Sequence, residues 1–131
     1  MKRIVLVILV LALAITAFCK KKKTFNEYNS GETLVLKMNE EFVISLTNPG
    51  DCGYSFLPVV YDTSALRLIA HTHISPKKRP NIRAGDFGHD EWKLKAIHKG
   101  VTSNLAIKIQ RQWEADKGET ITKFAATVKT E

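Results

Sequence analysis

The sequence predicts an all-β fold, an immunoglobulin-like β-sandwich of about seven to eight strands with its binding loops at one end. Three observations lead to this prediction. Short segments rich in β-branched and aromatic residues alternate apolar with polar positions, turn-forming residues separate these segments, and no convincing helical period follows the N-terminal segment. At 131 residues, the chain is expected to form one such domain.

The N-terminal segment is predicted to be a targeting signal. Residues 4–18 form an unbroken apolar or small run behind a basic start, too short for a transmembrane helix and typical of a secretory signal. Cys19 follows directly, a pattern that resembles a bacterial lipoprotein signal, in which the cysteine is acylated. We therefore expect a signal peptide over 1–18, a lipidated Cys19 with a basic tether over 19–31, and the β-sandwich domain over 32–131.

This interpretation places the protein outside the cytoplasm. It predicts an exported protein of the bacterial cell envelope, held by lipid in a periplasmic or surface-facing leaflet. If Cys19 is not lipidated, the protein is secreted, and an uncleaved anchor is a third alternative.

The positive charge lies mainly outside the domain. The formal net charge is +7, and removing the two basic residues of the leader and four tether lysines leaves +1 for residues 24–131. This distribution argues against a nucleic-acid partner. The tether residues Lys20, Lys21, Lys22 and Lys23 are either a solvated spacer or a contact with anionic headgroups, at about 1 kcal/mol per lysine near such a surface.

The first four predicted strands are 33–37, 42–46, 54–61 and 66–72. The first is a run of apolar, strand-forming residues, and the second places Phe42, Ile44 and Leu46 on one face. The third is aromatic and β-branched, and the fourth follows a polar turn.

The last three predicted strands are 92–97, 105–109 and 121–128. The fifth strand alternates apolar with basic residues and places Trp92 in the core, and the sixth repeats that pattern with a weaker contrast. The seventh strand has Phe124, Ala126 and Val128 on one side. The connection over 76–88 is long and shows no period, whereas turn residues stand at Asn39-Glu40, Asn48-Pro49-Gly50, Lys99-Gly100 and Lys117-Gly118.

Three of these connections have unusual compositions: NPGDCGY at 48–54, GDFG at 85–88 and RQWE at 111–114. Loops separated by an even number of strand passages emerge at the same end of a sandwich, so we expect all three to form one recognition edge. Trp113 is either folded over the rim or presented to a partner, since exposed Trp and Arg are typical anchors of binding surfaces.

A metal site is the first chemical alternative. His71 and His73 are two residues apart on a predicted strand and therefore share a face, where His89 or His98 could join them. No carboxylate or cysteine pair stands at ligand spacing, so surface histidines are the simpler interpretation. We expect no metal and no cofactor.

A cysteine nucleophile is the second alternative. Cys52 lies in a loop without a helix to lower its pKa, beside Asp51, whose charge raises the pKa of a thiol. We therefore expect a protein that is not an enzyme. Cys52 is a lone thiol if Cys19 is lipidated, and a Cys19–Cys52 disulfide is conceivable otherwise.

The three loops resemble those of the chagasin family of cysteine peptidase inhibitors. The family's Asn-Pro-Thr-Thr-Gly-aromatic loop is matched by Asn48-Pro49 and Gly53-Tyr54, and its Gly-x-Gly-Gly loop by residues 85–88. Its Arg-Pro-Trp-Glu loop is matched by residues 111–114, and a Lys-Ala-x-x-x-Gly stretch lies at 95–100. The resemblance extends from about residue 33 to residue 128.

The resemblance implies a monomeric, reversible inhibitor of papain-like cysteine peptidases that wedges three loops into the active-site cleft. The first loop would cover the catalytic cysteine, Trp113 would stack on an aromatic wall of the peptidase, and Arg111 would add polar contacts. The implied peptidase-binding residues are Asn48, Pro49, Gly50, Asp51, Cys52, Gly53 and Tyr54, then Gly85, Asp86, Phe87 and Gly88, then Arg111, Gln112, Trp113 and Glu114.

The sequence departs from the family pattern inside each loop. Gly50-Asp51-Cys52 replaces two threonines, Phe87 replaces a glycine, and Gln112 replaces a proline. A phenylalanine should keep its loop from approaching a partner backbone as closely as glycine allows. The alternative hypothesis is therefore an immunoglobulin-like binding or structural lipoprotein that keeps the fold without inhibiting a peptidase.

Overall fold

The computed structural model describes residues 21–50, 53–77 and 86–131. The predicted signal peptide and Cys19 lie outside these residues, as do Asp51, Cys52 and Gly85. The described strands are β1 (Lys23–Phe25), β2 (Thr33–Leu36), β3 (Glu41–Thr47), β4 (Tyr54–Phe56), β5 (Val60–Tyr61), β6 (Leu66–Ile74), β7 (His89–Ala96), β8 (Thr102–Arg111) and β9 (Ile121–Thr130). The described residues also include two short 3₁₀ helices, η1 (Glu27–Asn29) and η2 (Gln112–Lys117).

The strands form two sheets. The first has the order β1-β3-β7-β6, and the second has the order β2-β9-β8-β4, with β5 also paired to β8. The edge strands β1 and β2 run parallel to β3 and β9, and the other pairs are antiparallel. The predicted all-β sandwich is confirmed.

The core lies between the two sheets and consists of the predicted alternating residues. Along β7, every second side chain is buried, with Trp92 and Leu94 almost fully enclosed. Phe42, Ile44 and Leu46 of β3 meet Phe124, Ala126 and Val128 of β9 in one apolar cluster. Along β7, β8 and β9 one face is buried, so the two-residue period fixes which of their side chains point inward.

Most predicted strands have observed bounds that differ by one to three residues, and two of the strands also differ in continuity or pairing. The segment 54–61 is split into β4 and β5, because Pro58 lacks the N–H that a continuous ladder needs. Strand β6 extends two residues further than predicted, to Ile74, and carries an irregularity in its pairing between Leu68 and Ala70.

The folded part of the chain begins earlier than the predicted domain boundary at residue 32. Strand β1 lies inside the segment predicted as tether, and its Phe25 packs edge-to-face on Phe42 at 6.1 Å. Helix η1 follows, capped at Asn26, whose side chain accepts from the Tyr28 N–H. These elements were missed because a three-residue strand shows no recognisable alternation.

In the part of the chain that the structure describes, no helix has the length and apolar character needed to cross a bilayer.

The strand directions define two ends of the sandwich. Strands β3, β6 and β8 finish at the end from which β7 and β9 start, and this is called the loop end. Strand β1 starts at the opposite end, where the β2–β3 turn and the β7–β8 turn also lie, and this is called the tether end.

Candidate functional site

The loop end brings the three predicted loops together. Loop 1 follows β3 and is described at Asn48–Gly50 and Gly53, loop 2 precedes β7 and is described from Asp86 to Gly88, and loop 3 is η2. Loop 1 lies between the other two, in contact with Phe87 on one side and Trp113 on the other.

The contact between loops 1 and 3 is made by the backbone of Gly53. Gly53 has φ of 77°, and a Cβ placed there would lie 2.0 Å from Cη2 of Trp113. The indole therefore lies directly on the glycine backbone, while 67% of Trp113 stays exposed. Trp113 is thus folded over the rim, as one of the two sequence alternatives expects, and most of its surface remains exposed.

Arg111 supports this arrangement from below. It is the cross-strand partner of Tyr54, and its guanidinium lies 4.6 Å from the centre of the tyrosine ring and 5.9 Å from that of Trp113. Its Nη1 is 3.5 Å from the Glu114 carboxylate. Cations over aromatic faces are attracted by the ring quadrupole, so Arg111 connects β4 to loop 3.

The contact between loops 1 and 2 involves two residues that depart from the family pattern. A Cβ at Gly50 would lie 2.8 Å from Cγ of Phe87, so the phenyl ring occupies the space that a larger residue at position 50 would fill. Phe87 remains 40% exposed. The ring therefore packs sideways onto loop 1 and also contributes apolar surface to the loop end.

Asn48 is the residue that fixes the start of loop 1. Its N–H donates to the Gly88 carbonyl at 2.9 Å, and its side-chain oxygen accepts from the Gly50 N–H at 2.9 Å. Its amide nitrogen donates to Oδ1 of Asp90 at 2.7 Å. Asn48 thus binds its own loop, loop 2 and strand β7 at once.

Asp90 is the centre of a network that sequence reasoning missed. Its carboxylate is buried, with 6% exposure, and accepts from Nε2 of His71 at 2.7 Å and from Nδ1 of His73 at 2.8 Å. Burial raises the pKa of Asp90, but the hydrogen bonds from His73, Asn48 and His71 outweigh it and hold the pKa below its ordinary value. The carboxylate therefore stays ionised beneath loop 1.

A sequence signal for this network does exist. Asp90 has the same parity as Trp92 and Leu94 on β7, so a carboxylate occupies a core-facing position. A buried charge of this kind requires hydrogen-bond donors. Its partners His71 and His73 share a face as predicted, and the His71 ring also stacks on Trp92 at 4.5 Å.

The geometry around these histidines differs from that of a metal centre. Among the described residues, no group of three or more His, Cys, Asp or Glu side chains could hold a metal ion. His71 and His73 each bind one oxygen of Asp90, and His89 lies 3.5 Å from Glu91.

The family comparison decides the classification of this chain. The model of the chagasin family peptidase inhibitor I42 matches residues 35–128, which include all three loops. The chain belongs to the chagasin family. This confirms the resemblance inferred from the loop motifs. A comparison with curated protein sequences gives no significant match.

Solved structures agree with this chagasin-family assignment at the level of the fold. The crystal structure of the cysteine protease inhibitor EhICP2 from Entamoeba histolytica has a TM-score of 0.65 and 20% identity, covering 83% of this chain and 94% of the other. The solution structure of amebosin has a TM-score of 0.64 and 21% identity, with 84% and 98% coverage.

Proposed function

We propose that this chagasin-family protein is a reversible inhibitor of papain-like cysteine peptidases, acting as a monomer that inserts its loop end into the active-site cleft. The observation that carries the proposal is Trp113, which is 67% exposed and yet fixed on the backbone of Gly53. An exposed aromatic side chain held in one place is typical of the anchor residues of protein interfaces.

The contacts among the loops support tight binding. Phe87 and Trp113 flank loop 1 on either side, so two exposed aromatic rings and the loop between them form one edge. The Asn48 hydrogen bonds tie this edge to Gly88 and Asp90. Since these contacts already hold the described parts of the loops in place, ordering those parts costs little conformational entropy when a partner binds.

The role of the inhibitor in this proposal is steric and requires no chemistry of its own. Loop 1 covers the catalytic thiol of the peptidase, while Trp113 and Phe87 contact the two walls of the cleft. The proposed contact residues are those that the family resemblance implies, including Asp51, Cys52 and Gly85, which lie outside the described part of the chain.

The test is a titration of papain and of a cathepsin L-like peptidase with the purified protein, following hydrolysis of a fluorogenic peptide. Trp113→Ala is expected to raise the inhibition constant at least tenfold, as the loss of an interface anchor does. Met38→Ala is the matched control, because Met38 is an exposed apolar residue at the tether end. Undiminished hydrolysis at micromolar protein would leave a binding or structural lipoprotein as the function.

We also propose that the protein is exported and anchored in the cell envelope by a lipid on Cys19. The support is the apolar run 4–18 that immediately precedes this cysteine. Cys19→Ser is expected to release the protein from the membrane fraction into the soluble fraction. If Cys19→Ser stays in the membrane fraction, lipidation is not what retains the protein.

A further inference from the structure

The tether end of the sandwich carries a basic surface that the loops do not use. It consists of Lys21, Lys22, Lys23, Lys37, Lys93 and Lys95, here called the basic face. The first five lysines line one groove together with Glu40 and Glu41, and Lys95 is the cross-strand partner of Glu41. Strand pairing thus gathers lysines from three separate parts of the sequence.

The acidic side chains of the groove offset only part of this charge. Glu40 pairs with Lys23 at 3.1 Å and Glu41 pairs with Lys93 at 2.8 Å. The six lysines and the two carboxylates together give this surface a net charge of +4. Among the described residues, five further charged side chains lie at this end and add one positive charge; they are Arg67, Lys99, Lys129, Asp62 and Glu131.

An apolar side chain projects from the middle of this charge. Met38 is 49% exposed at the turn between β2 and β3, beside Lys37 and next to Asn39, whose φ is 66°. An exposed apolar residue surrounded by lysines matches the surface of a lipid bilayer, where the apolar group enters the headgroup layer and the ammonium groups meet phosphates.

The position of the N-terminal segment limits how far this face can move from a membrane. Lys23 is fixed in the sandwich by its pairing with Phe42 on β3, so the segment from Cys19 to the start of β1 is the four residues 19–22 and not the thirteen residues 19–31. Four residues span at most about 14 Å when fully extended. An anchor at Cys19, or in the apolar run before it, therefore holds the tether end close to the bilayer.

We propose that the basic face docks on anionic lipid headgroups and holds the sandwich upright on the membrane. The proposal rests on the membrane anchoring proposed above and is independent of peptidase inhibition. The ten residues of β8 lead from the tether end to the loop end, a distance of about 30 Å at the usual rise of a strand. Docking thus presents Trp113 and Phe87 to peptidases on the far side from the membrane.

The test places a fluorescent reporter in the basic face. The full-length protein is purified in detergent and reconstituted into vesicles of phosphatidylcholine, or of equal parts phosphatidylcholine and phosphatidylglycerol, each containing a headgroup-level spin-labelled quencher lipid. In Met38→Trp, the added tryptophan is expected to be quenched in the anionic vesicles and much less in the neutral ones. The native Trp113 should be unquenched in both, and high salt should reverse the quenching at position 38.

Charge reversal identifies the lysines responsible. Lys22→Glu with Lys37→Glu, introduced into the Met38→Trp protein, should lower the ratio of docked to undocked protein roughly 25-fold or more, since each lysine near an anionic surface contributes about fivefold. Lys117→Glu is the control, because it reverses a charge on η2 at the loop end. It should leave the quenching unchanged.

Three results would overturn the proposal. These are equal quenching at position 38 in both vesicle types, no quenching in the anionic vesicles, and an effect of Lys117→Glu as large as that of the two tether-end changes. Failure of the protein to remain with either vesicle type would overturn the anchoring and the docking together. Inhibition of papain by the same preparations shows separately whether the loop end is active.

Discussion

Replacing Gly53 by alanine tests whether Trp113 must rest on loop 1 in order to inhibit. The new Cβ would lie 2.0 Å from the indole, so the ring has to leave its position. The alanine at position 53 would also have to adopt a positive φ, which costs about 1–2 kcal/mol for a residue other than glycine. Gly53 is therefore required for two reasons, its positive φ and its contact with Trp113.

The two effects can be separated with Gly100→Ala. Gly100 has φ of 73°, and nothing lies within 4 Å of the point that a Cβ would occupy there, so its replacement introduces the strain alone. One third of Trp113 is buried, which is about 80 Å² of its side chain, and burying this area stabilises the fold by about 2 kcal/mol. Gly53→Ala should therefore lower the free energy of unfolding by up to about 2 kcal/mol more than Gly100→Ala.

The inhibition constant is the decisive measurement. Once displaced, Trp113 no longer reaches its site on the peptidase. A loss of about 2 kcal/mol of binding free energy corresponds to roughly thirtyfold weaker inhibition. Gly100→Ala should inhibit like the unchanged protein. In a Trp113→Ala background, Gly53→Ala should have little further effect on inhibition, because the two residues act through one contact. Equal inhibition by Gly53→Ala and Gly100→Ala would refute the reasoning.

Two further predictions concern the residues around loop 1. Asp90→Asn should lower the free energy of unfolding at neutral pH by about 2 kcal/mol, because hydrogen bonds to a charged group are lost. Since the folded pKa of Asp90 lies below the ordinary 3.8, its stabilisation is present above that pH and lost as the pH falls through the folded value. Urea unfolding should therefore depend less on pH below about 4 in Asp90→Asn than in the unchanged protein, and identical pH profiles would contradict this. Gly50→Ala should weaken inhibition by pushing the Phe87 ring aside, and adding Phe87→Gly should relieve the clash. Additive effects of these two changes on the inhibition constant would show that position 50 and the Phe87 ring do not interact.

Much of the fold could be predicted from the sequence because burial in a strand has a local signature. The two-residue period places Phe42, Ile44 and Leu46 in the core without knowledge of their partners. Strand β1 has no such signature, because three residues gain their structure by pairing with a distant strand. The irregularity after Leu68 is equally hidden, since it is a property of the β6–β7 register.

The candidate site was predictable as a set of loops and not as a set of contacts. The motifs located Asn48, Phe87 and Trp113, and strand counting placed their loops at one end of the sandwich. The hydrogen bonds of Asp90 depend on which residues of β6 and β7 face each other, and a sequence pattern does not contain that register. The parity of Asp90 was the local signal available for it.

The contact between Gly50 and Phe87 changes how the family departures are interpreted. Considered separately, Phe87 keeps loop 2 from approaching a partner backbone as closely as glycine would allow, and Gly50 removes a side chain from loop 1. In the structure the phenyl ring fills the space beside Gly50, so each departure accommodates the other. The two residues therefore form one altered edge, and under the proposed function this edge is expected to affect which peptidases are inhibited. The inhibition of several peptidases should accordingly be measured with a double variant in which Gly50 and Phe87 are both replaced, because either replacement alone leaves a clash or a gap.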